Sequence, residues 1–377
     1  MNEWKTCKNI LCIRPDNMGD LIMSEPAIRA LKETFGCAIT LLTSSMAAGI
    51  VPLLPGIDDV IQFNAPWVKT NTANGVNDFF NVIEELKQHS FDAAIVFTVF
   101  SQNPLPSAMI AYLAGIPKRL AYCRENPYHL LTNWVPDKEP YGFIQHQVQR
   151  DLQLVESIGA FTQEKKLHIN LPKNIWPDVV EKLSGIGIDF QKPWLILHAG
   201  VSEPKREYPQ NLWIETGRKI VKELGYQVIF TGNAAERNAL ECLQKNIGHH
   251  SFNAAGLLSL EEFITLIKRA PLVVSVNTST IHIAAAVATP VVVLYALSNP
   301  QHLPWMATGK VLLYDIPKEQ RSRNEVLQYV HENLHPQDLP MIMPETILQA
   351  IREVLIGDGD CFIPEMIALQ KNVEQIF

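Results

Sequence analysis

The sequence predicts an α/β protein made of two successive doubly wound, Rossmann-like domains that face each other across a cleft. Three observations carry that prediction. Short apolar runs rich in Ile, Val and Leu alternate with longer segments of helical period, the sequence form of a parallel sheet covered by helices on both faces. The alternation runs once, breaks at a proline-rich stretch and then restarts. A length of 377 residues suits two domains of ordinary size, at about 150 residues each.

In the first half the predicted strands lie at 10–14, 38–43, 59–63 and 93–98, with helices at 21–34, 45–54, 76–89 and 106–114. Each strand-helix-strand step fits a right-handed crossover. The stretch 120–141 breaks the rhythm with Pro127, Pro136 and Pro140, and a helix over 142–158 stops at Gly159. A linker with Pro172 and Pro177 follows, which sets predicted domains at 1–171 and 172–343. In the second half, strands are expected at 194–198, 227–231, 272–276 and 291–295, and helices at 209–224, 234–246, 259–269 and 279–288. The tail, 344–377, reads as two helices separated by residues 357–360 and packing back on the N-terminal domain. The Asp358-Gly359-Asp360 in that turn reads as a surface turn in preference to a metal site.

Composition narrows the function. Apolar residues make up 47% and charged residues 19%, enough core material to exclude a mainly disordered chain. A net charge of −7 argues against nucleic acid as the main partner and leaves room for a local basic patch. The six cysteines form no Cys-x-x-Cys pair and no cluster with histidine, which fits reduced thiols in a cytoplasmic protein. The N-terminus does not read as a signal peptide, and the most apolar stretch, 284–297, falls short of the roughly 20 residues that span a bilayer.

In doubly wound sheets ligands sit beyond the carboxyl ends of the strands, so the loops after Arg14, His198, Thr231 and Val276 should build the site. The first loop, Arg14-Pro15-Asp16-Asn17-Met18-Gly19-Asp20, lacks both a dinucleotide fingerprint and a Walker phosphate loop. Gly19 permits close approach of a ligand. Asp20 has two readings, an N-terminal helix cap or a base that takes a proton from an acceptor hydroxyl. In the loop after His198, Gly200, Ser202, Lys205 and Arg206 precede a helix start and read as a diphosphate site or as a solvated basic turn. The run Asn277-Thr278-Ser279-Thr280 offers hydroxyls and free N–H groups at another helix start, a phosphate cradle or ordinary capping. His282 reads as a packed histidine before it reads as a base. Glu236 either accepts from ribose hydroxyls or satisfies a helix dipole.

Together these loops resemble the heptosyltransferase family of GT-B glycosyltransferases, glycosyltransferase family 9, whose members transfer heptose from ADP-heptose onto lipopolysaccharide core. Met18-Gly19-Asp20, followed by Pro26 and Leu31-Lys32, is similar to the family's opening loop, where the resemblance makes the aspartate the base. Residues 145–150 resemble the helix before the family's domain linker. The segment 198–213 resembles its phosphate-binding loop, whose lysine falls on Lys205 or Arg206. Gly232 with Glu236 resembles the nucleoside turn, and the run 257–260, with Leu258, the segment bordering the base. The departure is Asn277-Thr278-Ser279, where the family has Asp-Thr-Gly; the spacing to His282 is kept.

The resemblance implies an inverting, metal-independent sugar transfer from a nucleotide diphosphate sugar, ADP-heptose or a related donor, to a lipopolysaccharide-type or other glycan acceptor. No cofactor beyond that donor is expected. Arg119, Arg124 and Arg150, with Gly19, are the candidates for acceptor contacts, and peripheral association with the cytoplasmic face of the inner membrane is implied. Two alternatives are a nucleotide-sugar epimerase of the same fold and a catalytically silent sugar-nucleotide binding protein.

Overall fold

The computed structural model describes residues 3–69, 75–201, 203–296, 299–321, 323–333, 339–361 and 367–368. The chain divides into two compact units, one of Met1–His168 with Pro300–His302 and Pro364–Phe377, the other of Ile169–Asn299 with Leu303–Ile363.

The first unit runs β1 (Asn9–Arg14), α1 (Met18–Phe35), β2 (Ala38–Thr43), α2 (Ser45–Ala48), β3 (Asp59–Gln62), α3 (Val76–Gln88), β4 (Ala93–Val96), α4 (Leu105–Leu113), β5 (Lys118–Cys123), β6 (Asn133–Pro136), β7 (Phe143–Ile144) and α5 (Gln147–Glu156). Its six-stranded sheet has the order β3-β2-β1-β4-β5-β6, with every pairing parallel. Leu11, Ile13, Leu42, Ile61, Ala94 and Val96 fill one core, against which α3 lays the stripe Val82, Ile83 and Leu86. The strand order reverses between β1 and β4, whose ends lie level because Ile13 pairs with Val96. The loops leaving these two strands therefore open side by side, where such sheets bind ligands.

The second unit continues with α6 (Trp176–Ser184), β8 (Trp194–His198), α7 (Gln210–Lys219), β9 (Gln227–Phe230), α8 (Arg237–Ile247), β10 (Ser251–Asn253), α9 (Leu260–Arg269), β11 (Val273–Val276), α10 (Ser279–Ala286), β12 (Val291–Ala296), β13 (Thr308–Tyr314), α11 (Glu325–Asn333), α12 (Pro344–Leu355) and β14 (Asp360–Cys361). The order β10-β9-β8-β11-β12-β13 repeats the first sheet's topology, and β14 adds one antiparallel edge strand. Here the reversal falls between β8 and β11, where Ser275 pairs with His198.

Strands β5, β6, β10 and β13 and helices α6 and α11 are absent from the sequence prediction. The first two lie where prolines break the pattern: β5 opens with two charged residues, and β6 is an exposed edge strand ending at Pro136, a position at which proline costs no ladder bond. The predicted helix over 142–158 starts only at Gln147, because the His146 side chain accepts the Val148 N–H as a cap, 3.1 Å. The two-helix tail is also corrected. Its helix α12 packs against α7, β12 and β13, burying Ile347, Leu348, Ile351 and Val354 in the second unit's core. The chain then forms β14, where Asp360 meets Lys310 at 3.4 Å, an edge-strand ion pair in place of the second helix. The short β15 (Ile367–Ala368) pairs antiparallel with β7 in the first unit. No described helix is long and apolar enough to cross a membrane.

Candidate active site

Each unit presents a loop cluster at its point of strand reversal. In the first, hydroxyls from the end of β2 hold the loop backbone: Thr43 Oγ1 donates to the Arg14 carbonyl and Ser44 Oγ to the Asp16 carbonyl, both at 2.7 Å. Gln102, in the loop after β4, donates to the Asp16 carboxylate and ties the two loops together. Arg14 is fully buried, with Nε 3.1 Å from Asp16 and a terminal nitrogen 3.7 Å from Asp20. Burial pushes the Asp16 carboxyl up to about 6 against the pull of Arg14. Asp151, on α5, is likewise pushed up to about 6 by burial, although Ser24 donates to it at 2.6 Å and Gln147 at 2.8 Å.

Asp20 is the third residue of α1, and the capping position belongs to Asn17. Among the described residues its side chain accepts no main-chain hydrogen bond; it turns to Arg14 and keeps 16% of its surface open to solvent. The capping reading is thereby replaced by an ion-paired, reachable carboxylate. Gly19 is buried in the same first turn.

Two of the candidate acceptor arginines are corrected. Arg150 is buried, bonded to Asp137 at 2.8 Å and Glu139 at 2.7 Å, donates Nε to the Thr98 carbonyl and lies 4.3 Å from the Tyr122 ring. Arg119 donates to the carbonyls of Leu130 and His129, both at 2.8 Å, and to that of Ile116. Both guanidiniums are consumed in holding their own loops, because a buried arginine is stable only when its donors are met. Arg124 is exposed, over the Phe100 ring at 4.6 Å.

In the second unit, Lys205 and Arg206 sit on a short 3-10 turn after β8. Tyr314 donates to the Arg206 carbonyl at 3.3 Å, and Tyr208 donates to the Ile342 carbonyl at 2.6 Å while packing edge-on against Trp213. Arg206 reaches across the reversal point to the Asn277 carbonyl, 3.3 Å. Lys205 Nζ is 2.9 Å from Glu203, which also lies 3.8 Å from Arg206. Thr278 is the N-cap of α10, yet its hydroxyl makes no cap bond and is buried without a hydrogen-bond partner among the described residues. Ordinary capping does not account for it. Ser279 is half-buried, whereas Thr280 is 1% exposed, so its hydroxyl is withdrawn from a ligand in the loop. The buried phenol of Tyr295, beside Asn277, donates to the Asn299 carbonyl at 3.2 Å, and His282 is buried on α10. Ser202 lies outside the described residues.

Glu236 completes a capping box, with Oε2 accepting from Asn233 N at 2.7 Å. The dipole reading is thus observed, and Oε1 faces Gly200, where a Cβ would come within 2.1 Å of it. A side chain at position 200 would have to displace the Glu236 carboxylate from the capping box. Gly256, at φ +70°, brings the 254–258 segment, with half-buried Leu258, against the same turn, its N–H donating to the Gly232 carbonyl at 3.0 Å. At the end of β8, His198 bonds Thr231, 2.9 Å, and desolvation pushes its imidazole down to about 4, so it is neutral. No group of three His, Cys, Asp or Glu side chains among the described residues is arranged to hold a metal.

The model of glycosyltransferase family 9 (heptosyltransferase) matches residues 79–331, two thirds of the chain. This protein belongs to glycosyltransferase family 9. Family membership makes it a glycosyl-transferring enzyme. It is 25% identical over 365 residues to lipopolysaccharide heptosyltransferase 2 of Salmonella typhimurium, covering 93% of this chain and 99% of that one. Among solved structures, a family 9 glycosyl transferase from Veillonella parvula superposes with a TM-score of 0.75 at 17% identity, covering 93% and 98% of the two chains. The Escherichia coli ADP-heptose lps heptosyltransferase II superposes at 0.68 and 20%, covering 93% and 99%. These structures share the fold, the GT-B architecture expected from the sequence.

Sequence reading of this family 9 enzyme missed Asp151, Gln102, Glu203 and Tyr295, and gave Arg14 and Asp16 no role. An arginine closing a buried strand was the available signal for Arg14. Nothing in the one-dimensional pattern links Asp151 to a loop 130 residues upstream.

Proposed function

We propose that this family 9 glycosyltransferase moves heptose from ADP-heptose to a lipopolysaccharide core acceptor, with inversion and without a metal. The observation that carries the reading is the cluster at the second unit's reversal point. Arg206 reaches the Asn277 carbonyl beside the Thr278 hydroxyl, which has no partner among the described residues, at the start of α10. Lys205 precedes Arg206 on the β8 loop, with Glu203 between the two cations, and together they make a donor set suited to a diphosphate. Ser279 adds a hydroxyl, Thr280 a main-chain N–H, and Glu236 with Leu258 and Asn277 borders the nucleoside and sugar.

Asp20 takes the proton from the acceptor hydroxyl as that oxygen bonds to the anomeric carbon and the carbon–oxygen bond to the diphosphate breaks. Negative charge on the departing ADP is met by the two cations and the helix N–H groups, so no divalent ion is required. Arg124 is the remaining basic candidate for an anionic acceptor. A lipid-anchored acceptor places the enzyme in the cytoplasm at the membrane surface, a reading supported by the exposed Met109, Tyr112 and Leu113 of α4.

The test is transfer from ADP-heptose to heptose-deficient lipopolysaccharide, read as ADP release and product mass, with and without EDTA. Wild type should release ADP only with acceptor present and be indifferent to EDTA. Asp20→Ala should lose about 1,000-fold in kcat and keep its affinity for ADP. ADP release that needs no acceptor, or an active Asp20→Ala, would overturn the reading.

A further inference from the structure

Arg14 is an unusual residue to find wholly buried at the end of a parallel strand. Its Nε lies 3.1 Å from Asp16 and a terminal nitrogen 3.7 Å from Asp20, while Asp151 on α5 attracts it as well. None of its nitrogens makes a hydrogen bond of regular geometry among the described residues. Desolvating a guanidinium is expensive, and apolar side chains of similar volume usually serve a core better. Such a group is retained where its charge does something.

The charges around it are unbalanced. Asp16, Asp20 and Asp151 surround the one guanidinium. The other cation nearby, Arg150 on α5, is taken up by Asp137 and Glu139. One turn along α1, Glu25 is paired with Arg29 at 2.7 Å, and α2 presents no charged side chain. Asp16 and Asp151 are fixed from outside the pair, by Gln102 and by Ser24 with Gln147. Both are buried, whereas Asp20 reaches solvent.

We propose that Arg14 is the positioning residue of Asp20, holding its carboxylate at the rim of the loop cluster, and that Asp16 competes with Asp20 for the same guanidinium and so sets the basicity of Asp20. This rests on Asp20 being the base. The loose 3.7 Å contact orients the carboxylate while leaving its oxygens open to an acceptor hydroxyl. Removing the Asp16 charge makes Asp20 a weaker base; removing the Arg14 charge makes it a stronger but unanchored one.

The proposal is tested by the pH dependence of kcat/KM for Asp16→Asn, Arg14→Gln and Asp20→Asn beside wild type, with ADP-heptose and heptose-deficient lipopolysaccharide. The Asp20 carboxyl is followed in parallel by 13C NMR of the aspartate-labelled full chain, its resonance assigned by loss in Asp20→Asn. Asp16→Asn should move the acid limb and the Asp20 titration down by about half a pH unit or more. Arg14→Gln should move both up and lower kcat about tenfold or more, with KM for the donor within about twofold. Asp16→Asn is nearly isosteric and keeps the test decisive if Arg14→Gln does not fold. A folded Asp16→Asn whose Asp20 titration and acid limb stay put overturns the competition between Asp16 and Asp20, and a folded Arg14→Gln with wild-type kcat and pH profile overturns the positioning role, the base assignment standing in both cases. An active Asp20→Asn overturns the base assignment and the proposal with it.

Discussion

The first unit gathers a buried guanidinium and three carboxylates where β1 and β4 diverge; the second gathers Lys205, Arg206, the Thr278 hydroxyl and a helix start where β8 and β11 diverge. Strand order is the same in both sheets, and so is the device that ties the two loops: Gln102 to Asp16 in one, Arg206 to the Asn277 carbonyl in the other. Topology therefore fixes where chemistry can be placed, and the loop residues fix its sign. One position in the fold suits taking up a proton, and its counterpart suits stabilising a departing anion.

The sharpest way to break that comparison is pH. In the first unit burial raises the Asp16 and Asp151 carboxyls to about 6 and that of Glu25 to about 7. The folded unit then binds more protons than the unfolded chain between about pH 4 and 7, so its stability falls as pH rises through that window. In the second unit His198 is pushed down to about 4 from its usual 6.5, the folded unit binds fewer protons, and stability falls as pH drops below about 6.5. Each group contributes on the order of 2 kcal/mol. Hydrogen exchange at pH 5 and 7.5, corrected for intrinsic rates, should show β1 and β4 amides better protected at the lower pH and β8 and β11 amides at the higher. A common direction in both units would abolish the contrast.

A smaller effect sharpens the cationic side. Replacing Lys205 and Arg206 together with Ala should weaken ADP binding about 100-fold in calorimetry, since each contact to a charged group is worth roughly 1.5–3 kcal/mol. Asp20→Ala should leave the same affinity unchanged, and equal losses in the two variants would mean that the clusters do not divide the labour. Smaller still is the effect of Glu203, whose carboxylate lies 2.9 Å from Lys205 and competes with a diphosphate for it. Glu203→Gln should tighten ADP binding about two- to fivefold, most at low salt; weaker binding would show that Glu203 orients the lysine.

The strands that head each reversal point were legible because a strand buried on both faces must be an unbroken apolar run, as in β1 and β8. Edge strands such as β6 carry no such constraint and were hidden among prolines. The positions of Asp20, Lys205, Arg206 and Thr278 just beyond strand ends were legible because each segment follows such a strand in the chain; their roles belong to the proposal. Arg119 and Arg150 misled because an arginine that clamps carbonyls and one that awaits a substrate are the same letter.

The sequence by itself determined the alternation, the two doubly wound sheets and the loops at their carboxyl ends where the chemistry is proposed, since these follow from local periodicity and from residues adjacent in the chain. Tertiary structure decided which charged side chains are spent and which are available. Whether a guanidinium is desolvated, and which carboxylates surround it, depends on contacts between segments far apart in sequence, as when Asp151 on α5 comes to share Arg14 with Asp16 and Asp20.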